Sequence, residues 1–284
     1  MTVLLAETAG FCWGVKRVVN RALEEARKKG RRLYTYGPLI HNRDMIRRLE
    51  EAGVHMLAPN TDVATLKALP NNAAVVVRAH GIPPEESERL CACGLDVIDG
   101  TCPHVVQIQR TVAEASRAGR AVVILGDKGH AEVIGLLGFC RGNGHVISNV
   151  AEIDTLEIEG PLTVVAQSTL DEQHFLALVE RLAARFSDVS VQDTRCDATA
   201  RTQAEGLRLC EKVDAMVVIG GLHSANTRRL AEICRERCAA THHIENVAGL
   251  GEIDFAGVTT VGVTAGSSTP DWVIEEVVEA LRGK

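Results

Sequence analysis

Short apolar runs recur along the chain, and most end in a glycine or small polar break followed by apolar residues at helical spacing. The runs at 3–6, 33–36, 73–77, 121–125, 162–166, 189–191, 215–219 and 258–263 are expected strands, as is the apolar stretch just before Gly100. Between them, Val15, Val18, Val19, Ala22, Leu23 and Ala26 make one helix face that ends near Gly30, and Met45, Ile46 and Leu49 make another. Val105, Ile108 and Val112 form a third, and Val273, Ile274, Val277, Val278 and Leu281 close the chain. Strand alternating with helix predicts an α/β protein of parallel sheets covered by helices.

Three strand-to-helix junctions carry a cysteine. Cys12 follows Ala9-Gly10-Phe11, Cys102 follows Gly100-Thr101, and Cys196 follows Asp193-Thr194-Arg195. The separations are 102 − 12 = 90 and 196 − 102 = 94 residues, so each third of the chain has one thiol in the same setting. Pro103 suits a first helical position, and N–H groups there favour thiolate over thiol. A single cysteine of this kind is commonly just a buried side chain. Three in equivalent settings point to a shared centre and to three similar small α/β domains, which we place at 13–100, 101–194 and 195–284.

Composition narrows the chemistry. The 284 residues are 46% hydrophobic, enough for a substantial core, and the net charge of −6 provides no overall basic field for nucleic acid or anionic membrane. No apolar run reaches the roughly 18 residues of a membrane-spanning helix, and the N-terminus lacks the basic start and long apolar region of a signal peptide. We therefore expect a cytoplasmic protein. Its nine cysteines then read as reduced thiols or metal ligands instead of a disulfide framework. Cys140 and Cys210 read as core filler. Cys234 and Cys238 with His242 and His243 have a superficial zinc spacing, but a helix running into a strand would pull them apart.

The strand-end loops carry the remaining candidates. His41, His80 and His130 each follow a strand and a turn, and Ser224, Asn226 and Ser268 occupy loops where outward N–H groups could hold phosphate without net basic charge. Any one of these is more often a surface histidine or a helix cap. Together they fit a diphosphate beyond the carboxyl ends of parallel strands. Glu132, two residues after His130, is the carboxyl group placed to deliver protons. Neither a dinucleotide fingerprint nor a phosphate-loop lysine occurs, so electrons are expected singly and not as hydride. Three dispersed cysteines could hold three irons of a cubane cluster and leave the fourth open for a substrate oxygen.

AGFCWGVKR around Cys12, the His-Asn pair at His41, Ala-His-Gly at His80, GTCP at Cys102 and GHAEVIG at His130 resemble 4-hydroxy-3-methylbut-2-enyl diphosphate reductases. So do QSTL at Ser168, DTRCDAT at Cys196, Ser-x-Asn at Ser224 and Asn226, and TAGSSTPD at Ser268, in order and over essentially the whole chain. The resemblance implies three α/β domains in a trefoil around a [4Fe–4S] cluster, with the N-terminal strand, residues 1–12, packing with the third domain. It implies Cys12, Cys102 and Cys196 as cluster ligands, and His41, His80, Ser224, Asn226 and Ser268 on the diphosphate with His130 close by. Glu132 would supply protons with help from the Ser168 hydroxyl. Two electrons from a ferredoxin or flavodoxin and two protons would remove the substrate hydroxyl as water, giving isopentenyl or dimethylallyl diphosphate by the non-mevalonate route. Three positions depart from the usual pattern: Ser168 for Thr, Ala225 for a second Ser, and Arg195 for an apolar residue. A hydro-lyase whose open iron acts only as a Lewis acid is the alternative enzyme, and an iron–sulfur electron carrier or sensor is the alternative of another class.

Overall fold

The computed structural model describes residues 1–40 and 42–283, the side chain of Arg43 excepted. In chain order the first elements are β1 (Thr2–Leu5), α1 (Trp13–Ala26), β2 (Arg32–Tyr36), α2 (Arg43–Glu51), β3 (Val54–Leu57), α3 (Val63–Lys67), β4 (Ala73–Val77), α4 (Pro84–Ala92) and β5 (Asp96–Ile98). Next come α5 (Pro103–Arg117), β6 (Ala121–Leu125), α6 (Ala131–Leu137), β7 (Gly144–Ile147), α7 (Val150–Ile153), β8 (Leu162–Ala166), α8 (Glu172–Arg185) and β9 (Val189–Val191). The last are α9 (Asp197–Cys210), β10 (Ala215–Ile219), α10 (Ala225–Arg237), β11 (Thr241–Ile244), β12 (Thr260–Ala265) and α11 (Asp271–Arg282).

The strands form three four-stranded sheets in the orders β3-β2-β4-β5, β7-β6-β8-β9 and β11-β10-β12-β1. Every pairing is parallel. The three orders are one topology used three times. In the last sheet the fourth position is filled from the N-terminus, with Leu5 level with Val263 of β12. The inner strands β4, β6, β8 and β10 are buried along their whole length, which is why they read as unbroken apolar runs.

By compactness the chain divides into two units. One comprises residues 1–23, 38–53 and 197–284 and contains the β10 sheet, and the other comprises 24–37 and 54–196 and contains the β2 and β6 sheets. Within the first, Val217, Ile219 and Val263 pack beneath α11 through Val273, Val277 and Leu281, and the opposite face holds Met216, Leu230 and Cys234. Within the second, Val75, Val77, Leu66 and Leu90 centre one core. The β6 sheet is covered on both faces, by α8 through Phe175 and Leu178 and by α5 through Ile108 and Val112. Among the described residues no helix is long and apolar enough to cross a membrane.

The expected strands are all present, with boundaries shifted by a residue or two. β3 and β7 are additional. Both are edge strands with exposed or half-buried polar positions, VHML and GHVI, so no apolar run announces them.

Candidate functional site

Each sheet presents its cysteine in the same way. Cys12, Cys102 and Cys196 are each the residue immediately ahead of a helix, α1, α5 and α9. The amide of Cys102 donates to the Ala79 carbonyl at 2.9 Å, that of Cys196 to Ser168 at 2.7 Å, and that of Cys12 to Ser267 at 3.3 Å. Each acceptor lies two residues beyond the end of the neighbouring strand, β4, β8 and β12 respectively. The backbone thus fixes all three loops without using sulfur. All three thiols are partly accessible, whereas Cys140, Cys210, Cys234 and Cys238 are buried. Burial pushes the Cys140 thiol up to about 11 and raises Cys234 further, so these remain protonated packing groups. Cys234 lies in α10 and His242 and His243 in β11, as the helix-to-strand reading anticipated. Among the described residues no three His, Cys, Asp or Glu side chains are gathered around a single metal position.

In the unit that carries Cys102 and Cys196, α6 sets out the acid–base groups. His130 is its N-cap, Nδ1 accepting from the Glu132 amide at 3.2 Å, which leaves Nε2 to carry the proton of the neutral ring. The His80 and His130 rings meet edge to face with centroids 5.2 Å apart. Glu132 is only 1% exposed. Its Oε1 accepts from the Ser168 amide at 2.6 Å and its Oε2 from the Ser168 hydroxyl at 2.6 Å. Burial raises the Glu132 pKa, the two Ser168 hydrogen bonds and the charge of His104 opposing only in part. The result is a carboxyl group with both oxygens oriented and its proton retained to higher pH than an exposed glutamate.

Two residues not singled out from the sequence secure this region. His104, in the first turn after Cys102, places Nε2 2.8 Å from the Thr194 carbonyl and so ties the Cys102 helix to the loop before Cys196. Thr194 is itself fixed, its hydroxyl donating to the Ala166 carbonyl at 2.6 Å and accepting from the Ala166 amide at 2.8 Å. Arg195, the unexplained departure, acquires a role here. It forks onto Asp193 through Nε at 2.9 Å and Nη2 at 2.7 Å and stacks on Phe175 at 4.8 Å. Its guanidinium holds the Asp193 carboxyl below its ordinary value, so it staples the Cys196 loop.

The unit that carries Cys12 holds the small polar donors. Ser224 caps α10, its hydroxyl oxygen accepting from the Thr227 amide at 3.4 Å, the ordinary cap role weighed above, and its hydroxyl proton remains to donate. Asn226 donates to the Ser267 hydroxyl at 3.0 Å, which joins the α10 start to the loop after β12. Ser268 Oγ is buried and has no hydrogen-bond partner among the described residues. A buried hydroxyl without a partner is costly, and a ligand oxygen would relieve that cost. His41 lies outside the described residues.

Three parallel α/β sheets, each with a partly accessible cysteine ahead of a helix, define a protein with a thrice-repeated cysteine site. A sequence profile of the LytB protein family matches residues 3–282, and the chain belongs to that family. It is 42% identical over 281 residues to the 4-hydroxy-3-methylbut-2-enyl diphosphate reductase of Geobacter sp. (strain M21), covering 99% of this chain and 97% of that one. It is 41% identical over 283 residues to the like-named protein of Aquifex aeolicus (strain VF5), covering 99% and 96%. A solved structure of (E)-4-hydroxy-3-methyl-but-2-enyl diphosphate reductase, the terminal enzyme of the non-mevalonate pathway, matches with a TM-score of 0.77 at 39% identity over 100% of both chains. That of the Plasmodium falciparum E-1-hydroxy-2-methyl-but-2-enyl-4-diphosphate reductase matches with a TM-score of 0.89 at 25% identity, covering 99% of this chain and 87% of that one.

Proposed function

We propose that the chain is a cytoplasmic 4-hydroxy-3-methylbut-2-enyl diphosphate reductase, removing the allylic hydroxyl of its substrate to leave isopentenyl and dimethylallyl diphosphates. The balance is R–OH + 2 e⁻ + 2 H⁺ → R–H + H₂O, with the electrons drawn singly from a ferredoxin or flavodoxin. The observation that carries the reading is the repeated thiol site: each sheet has a partly accessible cysteine directly ahead of a helix, its amide held at the same place. Such a donor set would suit three corners of a [4Fe–4S] cluster, since each cysteine would serve a different iron and the three would not need to crowd one ion. Cys12, Cys102 and Cys196 would hold it. When bound, it would supply single electrons and Lewis acidity toward the substrate hydroxyl at the iron without a cysteine.

The chain's own groups account for the rest. Burial lets Glu132 hold its proton to higher pH than an exposed glutamate, and the Ser168 amide and hydroxyl fix both of its oxygens, so it is the group to protonate the departing hydroxyl. The Ser168 hydroxyl reaches Oε2 just as the usual Thr would, so that departure leaves the contact intact. His80, His130, Ser224, Asn226 and Ser268 would bind the diphosphate, with His41 added by the family resemblance. The orphan Ser268 hydroxyl gains its acceptor when a phosphate oxygen arrives.

Anaerobically prepared protein tests the reading through its iron and sulfide content and Mössbauer spectra with and without the hydroxylated allylic diphosphate. Four irons are expected, with the signal of one changing on substrate addition. Reductant should then release both isomeric diphosphates. Dehydration without any electron requirement would establish the hydro-lyase, and irons indifferent to substrate would establish a carrier.

A further inference from the structure

Trp13 follows Cys12 directly and is 66% exposed, more than any other large apolar side chain among the described residues. The Arg17 guanidinium lies 5.9 Å from its ring centroid. Along the same exposed face of α1 come Lys16, Asn20 and Arg21, and the first acidic residue of the helix is Glu24. A shallow groove of about 170 Å³ runs alongside, lined by Phe11, Lys16, Asn20, Arg48 and Trp272 among others. Arg48 sits 6.0 Å from the Trp272 ring, so both tryptophans of the protein are capped by arginines in this region. Asp271, 3.1 Å from Lys16, is an acidic group of the same region. In a chain of net charge −6, Lys16, Arg17, Arg21 and Arg48 concentrate basic side chains here.

Tryptophan and arginine are the residue types that dominate interface energetics, and a basic patch on an acidic protein steers an acidic partner. We infer that the exposed face of α1, from Trp13 through Arg21 with Arg48 alongside, is where a small acidic one-electron carrier protein docks. The inference rests on the reductase reading, which requires two single-electron deliveries, each oxidising one carrier by one electron. Docking here sets the carrier against the residue joined by one peptide bond to Cys12, and electron transfer falls steeply with distance. A carrier must also leave after each delivery, which suits a small, salt-sensitive contact in place of a large apolar one.

The experiment compares two donors on the holoenzyme, dithionite-reduced methyl viologen and photoreduced flavodoxin, in wild type and in the Arg17→Glu/Arg21→Glu variant. Viologen-driven turnover should agree within about twofold, while kcat/KM for flavodoxin falls at least about tenfold and loses its dependence on NaCl. Calorimetric titration with oxidised flavodoxin reads docking without turnover, and it should weaken in this variant and in Trp13→Ala. Parallel loss with both donors would mean that the arginines support the fold, and overturns the inference. So would an unchanged flavodoxin rate and titration, or a wild type that turns over with viologen and ignores flavodoxin. A wild type inactive with viologen sinks the reductase reading itself, and this inference with it.

Discussion

Glu132 and Ser168 act as one unit at the residue scale, since two hydrogen bonds of 2.6 Å join a fully buried carboxyl to the amide and hydroxyl of one serine. Glu132→Gln keeps the shape and removes the proton, so kcat should fall about 10²- to 10⁴-fold with little change in KM. Burial raises the Glu132 pKa, so wild-type activity falls as pH rises through that value, and the Gln variant loses this limb of the profile. Stability follows the same sign. A raised folded-state pKa gives stability that is complete below the unfolded pKa and lost as pH rises through the folded one. Gln does not titrate, so melting curves of variant and wild type should diverge in the variant's favour as pH rises from the unfolded-state value through the raised folded-state one. Ser168→Ala keeps the amide bond and loses the hydroxyl, for which a roughly tenfold fall in kcat is expected, and its combination with Glu132→Gln should be far from additive. Glu132 drew notice in the sequence as a carboxylate set among polar loops, but its partner is 36 residues away and entered only through family resemblance. His104 was invisible because its partner is Thr194, 90 residues on, and no local pattern marks such a contact.

Elements explain why the cysteine loops were readable and their supports were not. Central strands announce themselves as apolar runs, and a thiol between such a run and a helix start is a local pattern, so Cys12, Cys102 and Cys196 emerged together. What holds the loops differs. Asp99 accepts from the Thr101 amide at 2.9 Å and Asp193 from the Arg195 amide at 3.2 Å, each carboxylate three residues before its cysteine. The corresponding position before Cys12 is Ala9. There Glu205 of α9 supplies the carboxylate, Oε1 accepting from the Glu7 amide at 2.7 Å and Oε2 from the Thr8 amide at 2.9 Å and from the Thr8 hydroxyl. Glu205→Ala should therefore cost about 1–2 kcal/mol in urea unfolding and lower the iron retained after desalting, while Glu205→Gln, which has one acceptor oxygen, falls between it and wild type. Equal iron retention in all three would show that the Cys12 loop does not need this anchor.

For the whole molecule, the question is whether the proposed iron–sulfur cluster or the sheets hold the chain folded. Small metal-dependent domains unfold on demetallation because their cores are too slight. Here each sheet owns a buried apolar cluster that contains none of Cys12, Cys102 and Cys196. Val217, Val261 and Val273 centre one, Val123, Val164 and Leu178 another, and Val75, Leu66 and Leu90 a third. Every inner strand is paired on both sides by parallel neighbours, so the backbone hydrogen bonds are satisfied without the cluster. The cysteine amides too are bonded to loop carbonyls and not left waiting for metal. Removing iron anaerobically with a chelator should accordingly leave far-UV circular dichroism nearly unchanged. The melting temperature should fall by only the several degrees expected when a native-state ligand is withdrawn. The protection that disappears should be local: the amides of Cys12, Cys102 and Cys196 and the first turns of α1, α5 and α9 should exchange hydrogen faster, while β4, β8 and β10 stay protected. Collapse of the circular dichroism on demetallation would mean that the cluster is a folding staple, and the repeated sheet would then owe its three copies to the metal and not to its own cores.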